Sequence, residues 1–226
     1  MEVSIIQAQS ATPSHNQRNL SMPASSSTEV LLYYPNMIGY ARFAFMLASF
    51  YFAHTSWKLS IACYCAAFAG DVVDGYVARA FNQCSKFGGI LDMVTDRVST
   101  CGLLVVLAQF YPAYSFAFTS LIVLDITSHW FHVMSVTAHH KSTEALVERN
   151  ALLRWYYSIY PLFGYCCVGT EFYYIALYIY HFSPEPIVYQ IMVYGCLPAC
   201  ILKQIVNVIQ LTSAADALAE MDVKKE

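Results

Sequence analysis

The sequence predicts an all-α integral membrane protein with six transmembrane helices and a polar cavity open to the cytosol. Three observations predict it. Of the 226 residues, 58% are hydrophobic and only 12% are charged, with a mean hydropathy of +0.45; a soluble domain sits near about 45–50% apolar and about 25% charged. The apolar residues gather in six long runs, and a bilayer core of about 30 Å needs about 20 mostly apolar helical residues per crossing. Basic residues collect in alternate connections between the runs, as they do on the cytosolic side of membrane proteins.

Residues 1–30 read as a disordered polar tail, because "MEVSIIQAQSATPSHNQRNLSMPASSSTE" is Ser-rich and lacks the apolar core of a signal peptide. Residues 31–212 hold the six-helix membrane domain. Its segments run over 36–54, 57–80, 86–110, 113–135, 153–182 and 186–211. Tyr111, Tyr114, Tyr156, Tyr157, Tyr178 and Tyr180 crowd segment ends like an interfacial aromatic belt. Pro161 and Pro198 predict kinks in the fifth and sixth segments, since proline removes a helical N–H. Residues 213–226 read as a polar C-terminal tail. The eight cysteines show no paired C-x-x-C spacing, so they read as thiols packing like small hydrophobes.

Orientation follows from charge. Arg18, Arg79, Lys86, Lys141, Arg149, Arg154, Lys224 and Lys225 fall in the N-tail, the second-to-third loop, the fourth-to-fifth loop and the C-tail, while the opposite loops hold little beyond Lys58. Both termini and the loop after residue 80 are therefore expected in the cytosol. A net charge of −3 gives no basic surface for nucleic acid.

The stretch "GDVVDGYVARAFNQCSKFGGILDMVTDRVST", residues 70–100, places four aspartates between apolar runs. At about 100° per residue, Asp71, Asp74, Gly75 and Ala78 share one narrow arc of the second segment, with Arg79 at its edge. Ser85, Gly88, Gly89, Asp92 and Asp96 share a face of the third. An aspartate at a membrane helix centre costs about 2.5–3.5 kcal/mol, so four together need compensating charge. Hard divalent cations supply it, because they prefer carboxylate oxygens and bridge to substrate phosphates. Gly75, Ala78, Gly88 and Gly89 leave room beside the acids, or let helices pack closely. Arg79 is a candidate phosphate anchor through its planar fork, or a residue that sets topology.

The string D-x2-D-G-x2-A-R-x8-G-x3-D-x3-D, from Asp71 to Asp96, resembles the signature of the class-I CDP-alcohol phosphatidyltransferases at all eight fixed positions. Flanking stretches "PNMIGYAR", "ARAFNQCSKFGGILDMVTDR", "LDITSHWFH" and "EFYYIALYIYHF" look like the eukaryotic phosphatidylinositol synthases within that family, over residues 33–183. One departure is visible: Tyr160 stands where those enzymes often carry an arginine after a "YY" pair. The resemblance implies a homodimer of the endoplasmic reticulum membrane, with a cytosol-facing site for two divalent ions, Mg²⁺ or Mn²⁺. It implies transfer of the phosphatidyl group of CDP-diacylglycerol to myo-inositol, with release of CMP. By matching positions, Asp71, Asp74, Asp92 and Asp96 would be metal ligands, and Asp96 would also be the general base. Gly75, Arg79 and Ser85 would line the CDP-diacylglycerol site.

Asn36, Asp125 and His129 are candidates for the acceptor or nucleotide site. Asp125, Ser128, His129 and His132 share one face of the fourth segment, where a His–Asp pair could equally bridge helices by hydrogen bonds. Arg42 reads as an interfacial arginine, its stem buried and its head toward water. Two alternatives stand beside this reading. A family member with another acceptor, such as glycerol phosphate, serine or choline, would carry the same signature. A transporter would also place acids in the membrane, but would spread them through its depth rather than within a few turns of one face.

Overall fold

The computed structural model describes residues 26–139 and 151–223. Most of the expected N-terminal tail, the loop holding His140, Lys141 and Arg149, and the terminal Lys224 and Lys225 lie outside the described residues. Everything described is helix joined by short connections, with no strand among the described residues. The helices are α1 (Ser27–Leu31), α2 (Tyr34–Phe52), α3 (Trp57–Ala80), α4 (Lys86–Phe110), α5 (Ser115–His139), α6 (Ala151–Ser158), α7 (Tyr160–Phe182), α8 (Pro186–Gln190) and α9 (Leu197–Val223). A 3₁₀ turn at Pro112–Tyr114 precedes α5, and a π segment at Ile191–Cys196 joins α8 to α9.

Three helical stretches are long and apolar enough to cross a membrane: Trp57–Ala80, Pro161–Phe182 and Pro186–Val223. In α4 the apolar run is diluted by Lys86, Asp92, Asp96 and Arg97 in its first half. Large apolar side chains face outward on many helices, among them Tyr51, Val72, Phe116, Trp130 and Tyr194. An apolar exterior of this kind suits lipid rather than water.

The chain forms two compact units, Met1–Ser99 and Thr100–Glu226. In the first, α2 packs along α3. The buried residues of α2 are Pro35, Asn36, Gly39, Arg42, Met46 and Ser49; steps of three and four residues put them on one face. The facing stripe of α3 is Ser60, Tyr64, Ala67 and Asp74, and the Ser49 and Ser60 hydroxyls are 3.3 Å apart. The α3 stripe runs from a small hydroxyl to the charge of Asp74, and the α2 stripe carries its one charge, Arg42, near its middle.

In the second unit, α9 packs against α5 and α7. Its buried residues are Ala199, Cys200, Lys203, Val206, Asn207, Gln210, Ala214 and Ala217. Small residues allow the close approach: a Cβ on Gly169 of α7 would lie 2.6 Å from the Cβ of Ala199. Cys166, Cys196 and Cys200 are buried as expected of small hydrophobes, whereas Cys65 and Cys84 are exposed.

The first and fourth segments shift by two to four residues, to Tyr34–Phe52 and Ser115–His139, and the fifth and sixth differ in kind from the sequence expectation. The fifth segment is two helices, broken at Ile159 (φ −98°, ψ 82°). Pro161 does not kink a helix; it sits in the first turn of α7, where a missing N–H has no intrahelical partner to lose. The sixth segment continues as helix to Val223, beyond 211 and through most of the expected C-terminal tail. "TSAADALAEMDV" contains neither Gly nor Pro and is rich in alanine, the strongest helix former. Pro198 is absorbed upstream by the π segment: it offers no N–H to the Tyr194 carbonyl, and the ladder shifts to i→i+5, as in Leu197 N–H to Met192 O.

Candidate functional site

The turn at residues 81–85 separates the two acidic pairs, and its chemistry is local. Asn82 adopts φ 53°, a left-handed conformation that asparagine tolerates at helix C-termini. The Gln83 N–H donates to Ala78 O at 2.9 Å, closing α3. Ser85 Oγ accepts from the Gly88 N–H at 3.0 Å and caps α4. Gln83 Oε1 accepts from the Tyr34 N–H at 3.0 Å, which ties this turn to the start of α2.

Asp71 and Asp74 on α3 and Asp92 on α4 bring carboxylate oxygens within 4.8 Å of one another. Asp74 and Asp96 are buried, and Asp71 and Asp92 half-buried. What binds all four is Arg42 of α2, itself only 3% exposed. Its Nη1 donates to Asp74 Oδ2 at 2.5 Å and to Asp92 Oδ1 at 2.7 Å. Its Nη2 donates to Asp96 Oδ1 at 2.7 Å and lies 2.9 Å from Asp71 Oδ1. Nε donates to the Ala67 carbonyl at 3.2 Å. The side chain read from sequence as interfacial is therefore the hub of the acidic cluster. The spacing signal that revealed the aspartates could not reveal it, because its carboxylate partners lie 29 to 54 residues away and it stands alone in an apolar run.

Four carboxylates gathered on the Arg42 guanidinium, with Arg97 also acting on Asp96, leave excess negative charge in a buried place, which is costly without further cations. Among the described residues the buried Asp71 Oδ1 accepts no hydrogen bond and meets Arg42 Nη2 only as an ion pair at 2.9 Å. Converging carboxylate oxygens, surplus negative charge and an unsatisfied acceptor suit a hard divalent cation. Asp96 lies outside the set of three carboxylates that converge and meets it through Arg42 Nη2.

The other expected residues fall into two groups. On α3 Gly75 is half-buried and Arg79, in the last turn, is exposed, and Ser85 serves as the cap of α4. Asn36 is buried at 1% exposure, and its Nδ2 donates to Val30 O at 2.5 Å. A Cβ on Gly88 would meet Asn36 Oδ1 at 2.9 Å and Ser85 Oγ at 3.1 Å, so Gly88 serves close packing. Gly89 has open space beside it instead. In the second unit, Asp125 and His129 form the i, i+4 pair, with His129 Nδ1 3.6 Å from Asp125 Oδ1 and 2.7 Å from the Asp125 carbonyl. The fully buried Ser128 lies 3.2 Å from the same ring nitrogen.

The profile of the CDP-alcohol phosphatidyltransferase family matches residues 32–211. The chain belongs to the CDP-alcohol phosphatidyltransferase family. Within this family it is similar to curated enzymes named CDP-diacylglycerol–inositol 3-phosphatidyltransferase. The one from Drosophila melanogaster is 37% identical over 90% of this chain and 92% of its own length. The one from Homo sapiens is 37% identical over 85% of this chain and 94% of its own length. A probable enzyme of the same name from Arabidopsis thaliana is 38% identical, covering 90% and 96%. No solved structure is significantly similar to the chain. As a family member with helices apolar enough to span a bilayer, it is a membrane-bound phosphatidyltransferase.

Two further features of the second unit escaped sequence reasoning. Thr100 donates its hydroxyl to Glu171 Oε1, joining α4 to α7. On α9, Asn207 Oδ1 and both polar atoms of Gln210 are buried with no hydrogen-bond partner among the described residues. The sixth segment's apolar average hid them.

Proposed function

We propose that the chain synthesises phosphatidylinositol, moving the phosphatidyl group of CDP-diacylglycerol onto myo-inositol and releasing CMP. The observation that carries this reading is likeness across nearly the whole length to enzymes of that name, at 37% identity over 90% of the chain for the fly enzyme. The convergence of the signature aspartates supports it, since a catalytically idle relative would be expected to have lost one.

In this reading Asp71, Asp74 and Asp92, with Asp96 beside them, hold two divalent ions, Mg²⁺ or Mn²⁺. Such ions supply Lewis-acid neutralisation of pyrophosphate charge. Asp96 takes the proton from an inositol hydroxyl as its oxygen attacks the phosphorus bearing diacylglycerol. The new O–P bond forms, the bond from that phosphorus to the CMP oxygen breaks, and CMP departs with the electron pair. Gly75 lets the nucleotide approach the α3 backbone, while Arg79 and Ser85 bind CDP-diacylglycerol. Asn36, Asp125 and His129 serve the acceptor or nucleotide. Positioning and electrostatics do most of the catalysis.

The architecture completing this reading is a membrane domain over 31–212 with six spans, flanked by polar tails. The acidic site opens to the cytosol from the endoplasmic reticulum membrane, both termini share that side, and the enzyme is a homodimer. The distribution of basic residues supports the orientation.

The deciding assay uses purified protein, CDP-diacylglycerol and Mn²⁺ or Mg²⁺. CMP release that depends on added myo-inositol is the expected result. Release that instead follows serine, choline or glycerol phosphate would replace the acceptor and keep the family chemistry.

A further inference from the structure

Arg42 directs its guanidinium inward: it donates four hydrogen bonds, to the Ala67 carbonyl, Asp74, Asp92 and Asp96, and forms an ion pair with Asp71 at 2.9 Å. Its contacts to Asp71, Asp74 and Asp92 fall on the three residues whose oxygens converge within 4.8 Å. Gly70 makes the placement possible, since a Cβ there would stand 2.7 Å from Arg42 Cγ and 3.2 Å from Cδ. A planar guanidinium with two forks can bind several carboxylates at once, which a point-charged ammonium cannot do with the same geometry.

Divalent ions bind carboxylate oxygens at about 2.0–2.6 Å and draw them inward. A guanidinium and an ion holding the same three carboxylates compete for oxygen lone pairs, and their positive charges repel. We propose that Arg42 is the resident counter-cation of the metal-free site: it keeps the four carboxylates gathered, then yields part of its contacts when divalent ions bind. Arg42 is thus a positioning residue. It keeps α2, α3 and α4 assembled around the acids before any ion arrives, and it sets how tightly ions are held.

This inference rests on the metal reading of the proposed function, and its test separates the two. Full-length protein in detergent or nanodiscs is compared as wild type, Arg42→Gln and Arg42→Lys. The probe is Mn²⁺ alone, with free Mn²⁺ followed by its paramagnetic resonance signal and unfolding temperature measured in EDTA and in saturating Mn²⁺. Arg42→Gln is expected to unfold at lower temperature in EDTA and to recover more than wild type on adding Mn²⁺. It is also expected to bind Mn²⁺ about tenfold tighter or more, since a competing charge is gone. Arg42→Lys should fall between on both measures. A purely structural arginine would instead weaken Mn²⁺ binding when removed. Equal or weaker Mn²⁺ binding by Arg42→Gln, or equal Mn²⁺-induced stabilisation of both proteins, overturns the exchange while leaving the metal reading intact. Absence of Mn²⁺ binding in every variant overturns both. If Arg42→Gln does not fold, Arg42→Lys decides: tighter binding than wild type supports the exchange, and equal or weaker binding rejects it.

Discussion

Gly70 and Arg42 form a matched pair across α2 and α3: the arginine stem runs through the space a glycine Cβ would fill, at 2.7 Å. Gly70→Ala should therefore push the stem aside and loosen the guanidinium from the aspartates. Overpacking of this kind costs about 1–3 kcal/mol. A fall in unfolding temperature measured in EDTA is expected; an unchanged one would show that the Arg42 stem does not depend on that space.

Asp96→Asn keeps the shape of the base and removes its ability to take a proton. Turnover should drop by about 10²–10⁴-fold, the usual contribution of a positioned acid–base group. Binding of CDP-diacylglycerol, measured by calorimetry on detergent-solubilised protein, should remain. Near wild-type turnover would take the proton-accepting role away from Asp96.

Thr100→Val removes the hydroxyl that meets Glu171. A buried hydrogen bond contributes about 0.5–1.5 kcal/mol net, so the variant should unfold earlier. Thr100→Ser, which keeps the hydroxyl, should lose less. Thermal scans of the three proteins side by side check this, and equal losses in both variants would point to the methyl group instead.

Gln210 is 1% exposed, and neither of its polar atoms has a hydrogen-bond partner among the described residues. Replacing a buried unsatisfied amide by an apolar side chain of similar size is neutral or stabilising. Gln210→Leu should therefore match or exceed wild type in unfolding temperature. A loss of stability would mean that the amide is satisfied in the membrane-embedded protein.

Helix existence was legible because long apolar runs have few alternatives. The bounds of α3 and α4 fall where the sequence places them, since a polar turn with a left-handed asparagine divides them. The acidic site was legible because Asp71, Asp74, Asp92 and Asp96 repeat at helical spacing. Arg42 was not, since spacing within one helix says nothing of a partner on another. Gly70 escaped for the same reason: the need for a missing Cβ appears only when a second helix lies against it. The break at Ile159 was half-visible, because Pro161 announces a disruption but not whether it bends one helix or starts another.

The π segment at Ile191–Cys196 bears on how this chain is compared with its relatives. It accommodates more residues than an α-helix of the same rise, so it behaves as a stored insertion. Removing one residue there would restore the regular ladder and leave the faces of the helix on both sides in register. An ungapped alignment drawn through this point against a relative with a regular helix would therefore pair the residues of Pro186–Gln190, Tyr189 included, one position out and misjudge which of them face outward.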